Sequence, residues 1–343
     1  MKGTKNTATV IFDSDLITYY TSFLIEDGFL ILYNNQKYLF TDKRYYSSCV
    51  NSAKANVLLL EDNSLELFIK NNEVESVGII DSLTSVDCFK KLLSLGVDLC
   101  DVSESVFIET SIKTSDEIAL IKNSCSILEN SLKTTLTSLK EGISEREFAG
   151  LLEYNFKLNG GDKPSFETIV AFGEGTSVPH YKTGDVKLKK DMPVLIDAGV
   201  SVNGYQSDIT RSFYFGKAPS EYKTAFNAVL GAHLKAFNQI TSGISGIEAD
   251  RIARDYLKDA RLSEYFTHSL GHGVGVKVHE FPRLSPKSTS NLVDNNVFSI
   301  EPGVYFDGKF GIRIEDTVYL SNGKCKSFFS LVKDVVEFNP HAK

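Results

Sequence analysis

The chain has 343 residues, 42% apolar and 24% charged, with a formal net charge of −7. That length suits two domains with a sizeable core, and the acidic balance argues against a nucleic-acid partner, which would call for a basic patch. Five widely spaced cysteines without a CxxC pair argue against a disulfide framework or a zinc finger; no apolar run suits a signal peptide or a membrane span, so a cytoplasmic location is expected.

In chain order, residues 1–112 read as an α/β domain. FLILYNN and QKYLFTD form a hairpin pattern around Asn34-Asn35. Short apolar runs at 57–60 and 77–80 suit buried strands, and 64–70 and 88–95 suit helices. This domain contains no cluster of chemically active residues. A second domain, 113–343, opens at Lys113-Thr114-Ser115-Asp116-Glu117, where Ser115 is the expected cap of a helix. Ile118, Ile121, Ile127, Leu128 and Leu132 then recur at helical spacing, and the helix is expected over 115–140. Gly142-Ile143-Ser144 precedes a second helix. Gly243-Ile244-Ser245 stands in the same relation to a helix at 220–240 and to the one after it. Strands follow each helix pair, at 169–215 and 266–336. The matching order predicts a duplicated domain.

Two acidic pairs stand out. Asp197 and Asp208 flank Asn203-Gly204, a strong signal for a two-residue hairpin turn. That turn sets Asp197 opposite Thr210, with Asp208 on the face of Thr210, so the two carboxylates are diagonal neighbours. Carboxylates that close repel unless a cation or proton intervenes. Taken alone, the pair also fits a solvated hairpin face. Glu301 and Glu315 each alternate with apolar residues, Phe298 and Ile300 in one run and Ile312 and Ile314 in the other. A two-residue turn at Asp307-Gly308 would set these glutamates on opposite faces, so a break at Pro302-Gly303 is expected to change the register. Arg313 and Glu315 also fit a structural ion pair.

His272 lies between glycines in Gly271-His272-Gly273, which lets backbone and ligand approach closely. An imidazole among carboxylates suits Mn, Co, Zn or Fe. His279 lies in His279-Glu280-Phe281-Pro282, which is not the HExxH motif. His180 and His279, each alone in a loop, read as surface residues, as do His233 and His341. His268 reads as structural.

The order Asp197, Asp208, His272, Glu301, Glu315 resembles that of the pita-bread metallopeptidases: methionine aminopeptidase, aminopeptidase P and prolidase. The resemblance covers about residues 113–337. IDAGVSVNGYQSDITRSF, SLGHGVGVKVHEFPRLS, FSIEPGVYF and GIRIEDTVYL carry it, and SFETIVAFGEGTSVPHY resembles the family's substrate-side loop. The resemblance implies an α+β architecture: a duplicated pita-bread catalytic domain preceded by a creatinase-type α/β N-terminal domain. The extra domain, the GIRIED glutamate, and His180 and His279 in the places of the substrate-side histidines favour the proline-specific branch.

By that resemblance two divalent ions are expected, manganese first, with cobalt, zinc or iron as alternatives. Asp197 would hold one, His272 and Glu301 the other, and Asp208 and Glu315 would bridge them. A metal-bridging hydroxide would attack the scissile carbonyl, and Glu301 would carry its proton to the leaving proline nitrogen. His180 and His279 would stabilise the developing charge, and Thr210 and Arg313 would support the ligands. The expected activity is that of an Xaa-Pro aminopeptidase acting on peptides with proline second. Prolidase, which cuts only Xaa-Pro dipeptides, is the alternative. A non-catalytic partner-binding protein ranks third, because all five ligand positions are filled. A homodimer is implied.

Overall fold

The computed structural model describes residues 6–334 and 336–338. The chain divides after Thr110 into two units. The first contains β1 (Thr7–Ile11), α1 (Ser14–Thr21), β2 (Gly28–Tyr33), β3 (Gln36–Thr41), α2 (Lys43–Ser52), β4 (Asn56–Leu59), α3 (Ser64–Asn71), β5 (Ser76–Ile79), α4 (Val86–Ser94) and β6 (Asp98–Asp101), with α5 (Ser103–Ser111) at the boundary. Its six strands form one mixed sheet in the order β4-β3-β2-β1-β5-β6. Asn34 and Asn35 take φ of 48° and 59°, which the two-residue turn between β2 and β3 demands. Phe29 and Ile31 pack into one core cluster and Leu30 into the other, so the sheet is buried on both faces.

The second unit begins with α6 (Ser115–Leu136) and α7 (Glu145–Leu158). The strands β7 (Lys163–Pro164), β8 (Ile169–Phe172), β9 (Met192–Ala198), β10 (Val200–Ser201) and β11 (Ile209–Phe215) follow. Then come α8 (Ser220–Gln239), α9 (Gly246–Asp259), β12 (Gly271–Gly273), β13 (Glu280–Leu284), β14 (Val297–Ile300), β15 (Gly303–Phe306), β16 (Phe310–Arg313), β17 (Asp316–Ser321), β18 (Lys324–Ser327) and β19 (Glu337–Phe338). One sheet runs β19-β11-β9-β8 and another β13-β12-β14-β17-β18. The cap of α6 is Thr114, not Ser115: its hydroxyl oxygen accepts from the Glu117 N–H, and the Glu117 carboxylate accepts from the Thr114 N–H. The helix stops at Leu136, short of the expected Lys140.

The two halves repeat in detail. Both α7 and α9 start from a capping box, Ser144 with Glu147 and Ser245 with Glu248. Gly142 and Gly243, at φ of 88° and 94°, turn the chain into them. The Gly142 N–H donates to the Leu188 carbonyl at 2.8 Å, and the Gly243 N–H to the Leu292 carbonyl at 2.7 Å. The repeated Gly-Ile-Ser is therefore a helix-start device, laced each time to the chain that returns from the strands. α8 and α9 pack on the apolar face of the second half, where Phe298, Ile300, Ile312 and Ile314 are fully buried.

His233 departs from the sequence reading. It is fully buried on α8, flanked on the same face by Val229, Ala232 and Ala236. Helical spacing carries it inward with these neighbours. His341 lies outside the described residues. Among the described residues no helix is long and apolar enough to cross a membrane.

Candidate active site

The first hairpin keeps the expected register. Thr210 pairs with Asp197 and Ile209 with Ala198. The tip closes through Val202 and Tyr205, with Asn203 and Gly204 at φ of 50° and 82°. Asp208 sits one residue before β11. The chain passes so close to Gly199 there that a Cβ would lie 2.2 Å from the Ser207 carbonyl oxygen, so only glycine fits.

The second hairpin is built differently from the expectation. Phe306 pairs with Phe310, so the turn has three residues, 307–309, not two. The same register continues past the interruption at Glu301-Pro302: Gly303 pairs with Arg313, and Ile300 with Asp316. Pro302 ends a strand without shifting the pairing. The extra turn residue is what sets Glu301 across from Glu315 on one face, because a one-residue change inverts every side chain. The Glu315 N–H donates to the Thr210 carbonyl at 3.1 Å, which joins the two hairpins.

His272 enters from β12. Its Nδ1 lies 3.2 Å from the Gly273 carbonyl, and its Nε2 lies 3.1 Å from Glu301 Oε1 and 3.7 Å from Asp208 Oδ2. A proton on Nδ1 donated to Gly273 leaves Nε2 free as a ligand. Ligand atoms of Asp208, His272 and Glu315 all lie within 4.8 Å of one another. Glu301 joins them through His272. Asp197 lines the same cavity, but its Oδ2 is taken by Arg313 at 2.5 Å. Thr210 donates to Glu315 Oε2 at 2.6 Å and accepts from Arg313 Nε at 3.1 Å.

The donor set fits divalent cations. Asp197 Oδ1, Asp208 Oδ1 and Glu315 Oε1 are buried without a hydrogen-bond partner among the described residues, an arrangement that costs free energy unless something positive faces them. Burial, then the charge of Glu315, pushes the Asp208 pKa well above the carboxylate range. Burial, then Glu301, does the same to Glu315. For Asp197, burial raises the pKa and Arg313 opposes it. Burial disfavours a charge on His272, but the hydrogen bond and charge of Glu301 outweigh it and raise its pKa. These groups cannot all ionise side by side without cations. Four carboxylates beside one imidazole match two divalent ions in charge, and the mixed oxygen and nitrogen donors suit a transition metal.

These side chains open onto a cavity of ≈ 530 Å³ that His180 and His279 also line. The His279 ring meets that of His272 edge-on, centroids 4.2 Å apart. Burial, and then His272, lowers the His279 pKa to about 4, so it is neutral at pH 7. Phe166 and Ile169 give the cavity an apolar wall, and Lys182 and Arg283 bring cations to it. Two residues escaped the sequence reading. His268, read as structural, lines the cavity. Its Nε2 lies 3.0 Å from the hydroxyl of buried Tyr305, and Arg313 donates to that hydroxyl at 2.6 Å. The tyrosine of FSIEPGVYF was the available signal, but an aromatic residue in a strand reads first as core.

Comparison with known proteins agrees with this geometry. The profile of metallopeptidase family M24 matches residues 119–322. The chain is 33% identical to the Xaa-Pro dipeptidase of Pyrococcus furiosus over 303 residues, 87% of this chain and 86% of that one. The structure of the Xaa-Pro dipeptidase from Bacillus anthracis superposes with a TM-score of 0.92 at 26% identity, covering 96% of this chain and 95% of its own. That of the X-Pro aminopeptidase from Thermotoga maritima gives 0.89 at 29% identity, covering 97% of each.

Proposed function

The chain belongs to metallopeptidase family M24, and on that premise we propose that it is an Xaa-Pro dipeptidase, a prolidase that hydrolyses the bond between a first residue and a terminal proline. The sequence reading put the aminopeptidase first. The name of the Pyrococcus furiosus relative supports the dipeptidase instead. The observation that carries this choice is the pair of cations, Lys182 and Arg283, on the cavity that holds the acidic cluster. A dipeptide ends in a carboxylate one residue beyond the scissile bond, and an arginine fork suits it. The aminopeptidase reading keeps the support of the Thermotoga maritima structure, which matches this chain over its whole fold.

Asp197, Asp208, His272, Glu301 and Glu315 would hold two divalent ions, manganese first among the candidates. Bound there, the ions would lower the pKa of a water molecule and polarise the scissile carbonyl. Glu301, beside His272 and facing the cavity, would take the proton of that water and deliver it to the proline nitrogen. His279, neutral near pH 7, would donate an N–H to the oxygen that gains charge. His180, on the same cavity, would hold the substrate's backbone. Arg313 would keep Asp197 in place through its ion pair, and Thr210 would orient Glu315. Phe166 and Ile169 offer apolar surface to a side chain or to the proline ring.

Hydrolysis of Ala-Pro and Ala-Pro-Ala by the manganese-loaded protein, with EDTA as control, tests the reading. Metal-dependent cleavage of Ala-Pro with little of the tripeptide is expected. Efficient release of alanine from the tripeptide would return the assignment to the aminopeptidase, and inertness toward both would overturn it.

A further inference from the structure

Glu145 is fully buried at the first turn of α7, yet its carboxylate caps no helix of its own. It reaches instead across to the loop that follows β8. One oxygen, Oε1, accepts from the Phe172 N–H at 2.8 Å. The other, Oε2, accepts from the Gly184 N–H and the Tyr181 hydroxyl, each at 3.0 Å. One carboxylate thus ties together the last residue of β8, Gly184 within the loop that follows, and the side chain next to His180. Burial, and then the charge of Glu145, pushes the Tyr181 phenol up to about 12, so it keeps its proton as the donor. The Tyr181 ring is seated on Gly175, where a Cβ would come within 2.8 Å of it.

The internal repeat separates this role from the needs of the helix. In the second half, Gly246 occupies the place of Glu145, directly after the capping serine. The backbone contacts correspond as well: the Glu145 N–H donates to the Val186 carbonyl, and the Gly246 N–H to the Ser290 carbonyl. A helix start of this design therefore needs no carboxylate there. At Gly246 a Cβ would meet the Arg283 carbonyl oxygen at 2.2 Å, so the second half has no room for one. The first half keeps a buried charge that only its own loop uses. Burying a carboxylate is costly: burial raises the Glu145 pKa, and the hydrogen bonds from Phe172, Gly184 and Tyr181 offset only part of that.

We propose that Glu145 is a positioning residue, which through Tyr181 and the amides of Phe172 and Gly184 fixes His180 on the wall of the metal-binding cavity. Glu145 is not among the residues that line the cavity. The proposal rests on the substrate-side role given to His180 above.

A double-mutant cycle on the manganese-loaded protein, with Ala-Pro as substrate, tests it. Glu145→Gln presents an amide N–H to donors and breaks the clamp; Tyr181→Phe removes one contact and leaves the backbone clamp intact, so it keeps the test readable if the first variant folds poorly. Misplacing a substrate-holding group by about 1 Å can cost about 100-fold. Glu145→Gln is expected to lower kcat/KM by about 10- to 100-fold and Tyr181→Phe by about threefold, both with wild-type metal content. In a His180→Ala background each should change kcat/KM by less than about twofold. Additive losses, metal loss in either variant, or wild-type activity in both would overturn the assignment while leaving the proposed function standing. An unaffected His180→Ala enzyme would instead remove His180 from the site, and this proposal with it.

Discussion

Asp208 and Glu315 are carboxylates that their surroundings oppose as anions. Burial raises both, and each faces other carboxylates. Only a cation or a bound proton makes such a pair tolerable. The thiol of Cys125, buried close by, is also pushed up by burial and then by Asp208, so it stays a protonated core residue. Asp208→Ala removes a proposed ligand from the cluster of Asp208, His272 and Glu315. It is expected to lose bound metal and at least about 100-fold in kcat/KM, since altering even the partners of metal ligands commonly costs about 10- to 100-fold. Metal analysis by mass spectrometry alongside kinetics checks this; an active, fully metallated variant would refute the site. At this scale the sequence was most informative. Asp197, Asp208, His272, Glu301 and Glu315 stand in distinctive motifs, and the structure puts all five on one cavity. Tyr305 and Glu145 were missed because their work depends on partners remote in the chain.

At the scale of the element, two hairpins illustrate what local pattern can settle. Asn203-Gly204 names its own turn type, and the expected pairing of Asp197 with Thr210 followed from it. Asp307-Gly308 gave the same signal but lies in a three-residue turn. The glutamates' shared face depends on that single additional residue. Deleting Gly308 would restore a two-residue turn and rotate Glu301 or Glu315 away from its partner. Bound metal is expected to fall below about half of the wild-type content, with helical structure by circular dichroism retained. Unchanged metal content would show that the hairpin tip does not set the register. Helix starts were legible in part: the repeated Gly-Ile-Ser does stand at two helix starts, where Ser144 and Ser245 prove to be the caps, while at α6 Thr114 takes the place expected of Ser115. Adjacent hydroxyl residues offer the same chemistry, and only the path of the chain selects between them.

For the whole molecule, metal binding and folding are one linked equilibrium. The pKa values of Asp208, Glu315 and His272 are raised in the folded chain. At these three groups the native protein without metal holds more protons than the unfolded chain, and their contribution to stability is lost as pH rises through the folded values. As the proposed ligands, all three groups would have to lose their protons to bind metal, so the stabilisation gained from metal should grow with pH. His233 acts in the opposite sense. Burial lowers its pKa to about 3, so its contribution is complete above its unfolded value and is lost as pH falls toward 3. It is common to both forms and cancels in their difference. Urea unfolding with saturating manganese and with EDTA, from pH 5 to pH 8, should show an increment that rises across the range. A flat increment would argue that metal binds elsewhere than at these carboxylates.

The sequence by itself determined the two-part organisation of helix pairs and strands in the second unit, the first hairpin's register and the residue types of the cluster. Each follows from interactions between residues near in the chain: apolar periodicity, a turn dipeptide, a repeated Gly-Ile-Ser. Only the tertiary structure decided which residues converge. The Glu315 N–H meets the Thr210 carbonyl across more than a hundred residues, and Glu145 on α7 meets Tyr181 in the loop after β8. A side chain's role is set by the partners that desolvate it and by the donors and charges that they supply, and those partners are fixed by packing between distant segments.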